Sequence, residues 1–232
     1  MWAAFQAELS DHATIAYDLR GHGGTPLGDA EGTVAQLGRD LISILESFGP
    51  STCIGFSLGG VVVLWVAAER PDLVEGVVAV ATSSVVGSAA AKAMTERIRL
   101  FENGDPDQLR SAILEDTRSQ LARTDYDPEP LAAARLAAIG TGGGYINGAR
   151  AVCAMRSDPI HQRLAEIVAP VLVVSGERDM WCPRRAAEIM LEQLGRARFV
   201  ELPDVGHLLT DDALHRLAQI VRGWREEEVG GG

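Results

Sequence analysis

The sequence predicts an α/β fold: a mostly parallel sheet with helices on both faces, interrupted by one helical insertion. Three observations carry that prediction. Short runs rich in β-branched and small apolar residues alternate with helical patterns along most of the 232 residues. One of these runs closes on Gly55-Phe56-Ser57-Leu58-Gly59 and opens directly into the apolar helical stretch Val61 to Ala68. The alternation then stops between Ser83 and Val168, where the text is helical and rich in Ala and Arg.

Taken in order, Trp2 to Leu9 reads as a helix and Ala13 to Tyr17 as a strand. Val34 to Phe48 is amphipathic at helical period. Thr52 to Phe56 is the second strand, and Leu58 to Arg70 is a helix that must stop before Pro71. Gly76 to Ala81 and Val171 to Ser175 are strands on either side of the insertion. Arg184 to Leu194 is a helix after Pro183, Arg198 to Leu202 is the last strand, and Ala213 to Trp224 is a helix preceded by Thr210-Asp211-Asp212 as its capping sequence. Strand and helix in alternation make right-handed βαβ units, hence parallel strands with both faces covered. The insertion breaks at Asn103-Gly104-Asp105-Pro106, at Asp127-Pro128 and at glycines 140 to 144 interrupted by Thr141. Because that glycine run follows a helix, it reads as a flexible connector and not as a phosphate-cradling loop. The expected division is therefore a core over 1–82 and 169–225, a helical cap over 83–168 and a disordered tail over 226–232.

Composition bounds the function classes. A chain of this length with 47% hydrophobic residues can bury one sizeable core. A formal charge of −11 and a pI near 4.9 exclude the clustered positive charge that nucleic acid requires. Cys53, Cys153 and Cys182 are odd in number and widely spaced, which indicates neither a disulfide framework nor a zinc site. The start lacks a basic and apolar leader, and no apolar stretch is long enough to span a bilayer, so a cytoplasmic protein is expected, free or as a homo-oligomer.

The chemistry is carried by three positions. In G-x-S-x-G, glycine at both ends lets the chain turn sharply from strand to helix, leaving Ser57 exposed at a helix N-terminus that favours developing negative charge. A serine hydroxyl is a poor nucleophile at neutral pH, so it needs a general base and a carboxylate to orient that base. Asp179, in Ser175-Gly176-Glu177-Arg178-Asp179, and His207, in Leu202-Pro203-Asp204-Val205-Gly206-His207, each follow a strand, where an open α/β sheet places functional loops. Glu177, Asp204 and Asp211 compete as the acid but are displaced from the strand-end register. His12, His161 and His215 stand in helical or flanking text with no supporting pattern.

Tyr17-Asp18-Leu19-Arg20-Gly21-His22-Gly23, the elbow, Gly176-Glu177-Arg178-Asp179 with Pro183, and Gly206-His207 together resemble the α/β-hydrolase superfamily. Within it, the pattern is similar to the small esterase, 3-oxoadipate enol-lactonase and perhydrolase groups. The resemblance implies a Ser57-Asp179-His207 triad, the Leu58 N–H as an oxyanion-hole donor, no metal and no organic cofactor. It also implies that Asp18, Arg20 and His22 form a mainly structural turn. In the family, the strand that precedes the Trp2-to-Leu9 helix ends in His-Gly, its loop donates the second oxyanion-hole N–H, and it lies in mid-sheet between the strands of Ala13 to Tyr17 and Thr52 to Phe56. This sequence begins after that strand, so the two flanking strands pair directly or the sequence is a truncated form; truncation is the expectation. The function expected is hydrolysis of a small ester or lactone through an acyl-enzyme, with Trp181, Met155 and Tyr145 lining the pocket. The alternatives are a catalytically silent binding module of the same fold, and a carbon-carbon hydrolase or acyltransferase using the same triad.

Overall fold

Residues 2–230 are described by the computed structural model. Their centre is a four-stranded sheet of β1 (Ser51–Phe56), β2 (Val74–Val80), β3 (Val171–Gly176) and β4 (Ala197–Leu202), parallel throughout and arranged in chain order. The registers Phe56 with Val80, Val80 with Val174, and Gly176 with Leu202 bring all four C-terminal strand ends to one edge. That edge carries the segments after each strand, including Ser57, Asp179 and His207.

Period-two alternation divides the sheet's side chains between two layers. Val77 and Ala79 of β2 and Val171 and Val173 of β3 pack with α2 (Val34–Phe48), α3 (Leu58–Glu69) and α8 (Arg184–Leu191) through Leu37, Leu41, Leu64 and Met190. Val78, Val80, Leu172 and Val174 pack with α1 (Trp2–Glu8) and α10 (Leu214–Glu228) through Phe5, Leu217, Val221 and Trp224. Residues 77 to 79 of β2 have no exposed surface, as a strand covered on both faces must. Helix α3 is apolar nearly all round because it lies inside the molecule: Val61, Val62, Val63, Leu64, Val66 and Ala67 are all buried. Thr33 caps α2 by accepting from the Gln36 N–H at 3.1 Å.

Between β2 and β3 lie α4 (Ser88–Asn103), α5 (Pro106–Gln120), α6 (Glu129–Ile139) and α7 (Gly143–Ala154), followed by a 3₁₀ turn over Ile160–Glu166. They hold a small core of their own around Ile113, Ala132 and Ile139. No described helix is long and apolar enough to cross a membrane.

Four local expectations are corrected. Ala13 to Tyr17 is not a strand: it makes no ladder with β1 or any other described strand, and its recorded tie is the Gln6 side-chain amide on Thr14. A β-prone run becomes a strand only where a neighbour can take its hydrogen bonds. The expected tail over 226–232 is helical to Glu228, because Arg198 and Arg196 pair with Glu227 and Glu228 at 2.7 and 2.9 Å; Gly231 and Gly232 lie outside the described residues. Gly143 and Gly144 are not a loose connector but the first turn of α7, where a Cβ on Gly144 would meet the Gly21 carbonyl oxygen at 2.4 Å. Thr210-Asp211-Asp212 does not cap the last helix. It belongs to a separate short helix, α9 (Leu209–Asp212), and α10 starts from Ala213 with no side-chain cap.

Candidate active site

The turn after β1 puts its unusual geometry on the serine itself. Ser57 has φ 52° and ψ −117°, a conformation that costs a non-glycine residue about 1–3 kcal/mol and persists only where the surroundings enforce it. Three bonds do so. The Ser57 N–H donates to Val80 O at 2.9 Å, and the Ser57 carbonyl accepts from Thr82 Oγ1 at 2.7 Å and from the Gly60 N–H at 2.9 Å. The two motif glycines play different parts. A Cβ on Gly55 would lie 2.1 Å from the Gly59 carbonyl oxygen, whereas one on Gly59 would meet nothing within 4 Å.

The Ser57 hydroxyl stands 3.2 Å from His207 Nε2, and His207 Nδ1 is 2.8 Å from Asp179 Oδ2. With Nδ1 donating to the carboxylate, Nε2 is left as an acceptor aimed at the serine proton. The other Asp179 oxygen accepts the backbone N–H groups of Trp181 and Cys182, both at 2.8 Å. Asp179 and His207 are 2% and 3% exposed, so the interaction between them is little screened by water. Phe56 and Trp181 flank the imidazole with ring centroids 5.0 and 6.0 Å away. The competing acids are occupied elsewhere: Arg178 pairs with Asp204, Glu177 accepts the Asp204 N–H at 3.0 Å, and Asp211 accepts from Thr210.

The structure disperses the expected pocket residues. Trp181 sits at the site, on the imidazole, with its indole N–H toward Ser119 Oγ at 3.4 Å. Met155, at 2% exposure, is packed in the core with α2 and α3 instead of lining a pocket, because it falls on the inner side of the turn that ends α7. Tyr145 stacks on Phe101 at 4.4 Å, and burial pushes its phenol up to about 12. Tyr145 and Gly148 are one turn apart on α7, and Gly148 packs against the Leu58 side chain, so this face of α7 lies next to the elbow. Arg20 is structural: its guanidinium grips Asp40 with two bonds and the Leu27 and Asp29 carbonyls with two more.

Sequence reasoning missed the polar groups of the insertion that approach this edge. Arg97 pairs with Asp116 at 2.7 Å, yet burial still holds the Asp116 carboxyl above its ordinary range. Arg135 donates to the buried Thr117 hydroxyl at 2.8 Å. The end of α5 reaches the loop that carries His207, where Gln120 O accepts the Leu208 N–H at 3.1 Å and Asp212 Oδ2 accepts the N–H groups of Gly206 and Ala122. No spacing rule flags such groups, since they meet only through the tertiary fold.

Comparison with known proteins agrees with this architecture. The chain is 28% identical over 235 residues to 3-oxoadipate enol-lactonase 1 of Acinetobacter baylyi, covering 97% of this chain and 83% of that one. It is 30% identical over 220 residues to RutD of Pseudomonas savastanoi pv. phaseolicola, whose carbamate hydrolase name is itself provisional, with 89% and 81% covered. The crystal structure of the enol-lactonase from Burkholderia xenovorans LB400 superposes with a TM-score of 0.83 at 23% identity, covering 96% of this chain and 85% of that one, a likeness of fold. Residues 1–220 match as a whole, and the chain belongs to the alpha/beta hydrolase family.

Proposed function

We propose that this hydrolase-family protein cleaves a small carboxylic ester or lactone through an acyl-enzyme on Ser57. The observation that carries the reading is the unbroken line from Ser57 Oγ through His207 to Asp179, at 3.2 and 2.8 Å, at the edge where all four strands end. His207 Nε2 takes the Ser57 proton as Oγ attacks the carbonyl carbon, and the carbonyl oxygen becomes an alkoxide. The Leu58 N–H, first in α3 and without an intrahelical acceptor, donates to that oxygen in this reading. The imidazolium then returns its proton to the leaving oxygen, the carbon–oxygen bond breaks, and the acyl group stays on Ser57. Water then attacks the acyl carbon as His207 takes its proton, and the imidazolium returns that proton to Ser57 Oγ as the acyl–oxygen bond breaks and the acid leaves. Asp179 remains ionised throughout, holding the Nδ1 proton and the ring's orientation. The 3-oxoadipate enol-lactonase relationship supports a lactone or ester as the bond cleaved.

The test is covalent. A fluorophosphonate probe phosphonylates only an activated serine, so the wild-type protein should be labelled at Ser57 at neutral pH and Ser57→Ala should not. Equal labelling of the two, or none of either, would overturn the reading; the second result would favour a silent member of the fold. Hydrolysis of p-nitrophenyl acetate by wild type and not by Ser57→Ala provides the turnover measurement.

A further inference from the structure

We infer that Asp212 is a positioning residue for His207, tying the catalytic loop to the end of α5 so that the insertion sets where the base stands. The inference rests on the proposed role of His207. Both peptide N–H groups flanking that residue are committed to this junction. The Gly206 N–H donates to Asp212 Oδ2 at 2.8 Å, and the Leu208 N–H donates to Gln120 O at 3.1 Å. The same Asp212 oxygen accepts the Ala122 N–H at 2.9 Å, so one carboxylate atom joins the residue before His207 to the residue two past α5. The junction has no slack: a Cβ on Gly206 would lie 2.5 Å from Gln120 O and 2.8 Å from Ala122 N.

Asp212 serves no other visible purpose. It does not cap α10, and among the described residues its second oxygen, Oδ1, is buried without a partner. A group that leaves one buried oxygen unpaired incurs a desolvation cost, which is sustained when the other oxygen's bonds matter. Here those bonds fix the backbone on one side of the imidazole, while the Asp179 carboxylate fixes the ring itself. Misplacement of a catalytic group by about 1 Å costs on the order of 100-fold in rate.

The experiment measures the second-order rate constant of Ser57 labelling by a fluorophosphonate, together with the melting temperature, in wild type, Asp212→Ala and Asp212→Asn. Asp212→Ala removes the acceptor and should slow labelling by about 10- to 100-fold in folded protein. In Asp212→Asn the amide oxygen can take over both N–H bonds, while its NH₂ group occupies the Oδ1 site and finds no acceptor. That variant should therefore melt lower than wild type yet label within about threefold of it. A merely structural role predicts the opposite coupling, with labelling indifferent to which variant keeps the bonds. If Asp212→Ala fails to fold, Ala122→Pro carries the test. Leu121, at φ −92° and ψ 138°, already has the backbone a following proline demands. Proline at 122 removes the N–H on the α5 side and should slow labelling at least fivefold. Labelling at the wild-type rate in Asp212→Ala, or in Ala122→Pro where it stands in, overturns the inference alone. A wild type that is not labelled at Ser57 overturns the hydrolase reading and this inference with it.

Discussion

The two glycines of the elbow are interchangeable in the sequence pattern and should not be so in the protein. Alanine at position 55 would place its Cβ 2.1 Å from the Gly59 carbonyl oxygen, 2.4 Å from its carbon and 2.6 Å from the Gly60 nitrogen. Ordinary contact is about 3.5–4 Å, so the start of α3 would have to retreat by more than about 1 Å. Every opposing atom is backbone, so no rotamer change relieves the clash. A cost of about 3 kcal/mol follows, the upper end of the range for overpacking. At about 2–4 °C per kcal/mol for a domain of this size, Gly55→Ala should lower the melting temperature by roughly 6–12 °C. Moving α3 also moves Ser57 and the Leu58 N–H, so labelling by a fluorophosphonate should fall by about 100-fold. Alanine at 59 meets nothing within 4 Å and stands inside α3 with no positive φ. It should gain up to about 1 kcal/mol from helix propensity, or about 2–4 °C, with labelling close to wild type. Calorimetric melting of the two variants decides the matter: an unchanged melting temperature for Gly55→Ala, or a clear fall for Gly59→Ala, would refute the clearance argument.

Asp179→Asn should leave the melting temperature within a few degrees of wild type but lower p-nitrophenyl acetate turnover by about 10⁴-fold, since an amide facing Nδ1 selects the wrong tautomer; a loss under tenfold would contradict the orienting role. Burial pushes the Tyr17 phenol well above its ordinary value and that of Tyr145 to about 12, while an unfolded phenol ionises near 10. Their contribution to stability is complete below about pH 10 and is lost as pH climbs toward 12, so urea unfolding should show lower stability at pH 11 than at pH 8, with a smaller difference in Tyr145→Phe. Equal stability of the wild type at both pH values would argue against buried neutral phenols.

The sheet and the juxtaposition of Ser57, His207 and Asp179 were legible because both depend on local text. β2 and β3 are near-continuous apolar runs, α3 is apolar on all sides, and Ser57, Asp179 and His207 each stand past the end of a strand. Ala13 to Tyr17 misled because its composition suits a strand, while strand formation needs a partner that composition does not reveal. Asp212 misled in a related way. An acidic residue before an apolar periodic stretch reads as a helix cap, but its carboxylate turned to two N–H groups, one of them 90 residues away in the chain. Met155 and Tyr145 were candidates for the pocket by residue type alone, and only packing shows that the methionine lies in the main core and the tyrosine against the small core of the insertion.

Since β2 and β3 are hydrogen-bonded neighbours, the two ends of the helical interval are held about 4.8 Å apart sideways and one strand length apart along the sheet, whatever the interval contains. A parallel crossover needs only a dozen or so residues. Everything beyond that is freight: doubling or halving such a connection changes its closure entropy by only about 0.6 kcal/mol. The helical part of the insertion is therefore portable. Another set of helices grafted in place of α4 to α6 would leave the strand order in place, and would keep Thr82 on the Ser57 carbonyl and Met155 in the core with α2 and α3, without solving the sheet again. One seam limits that freedom. Any replacement must still offer Asp212 a backbone donor and Leu208 a carbonyl where residues 120 to 122 now supply them, or the backbone on both sides of His207 loses the bonds that now hold it.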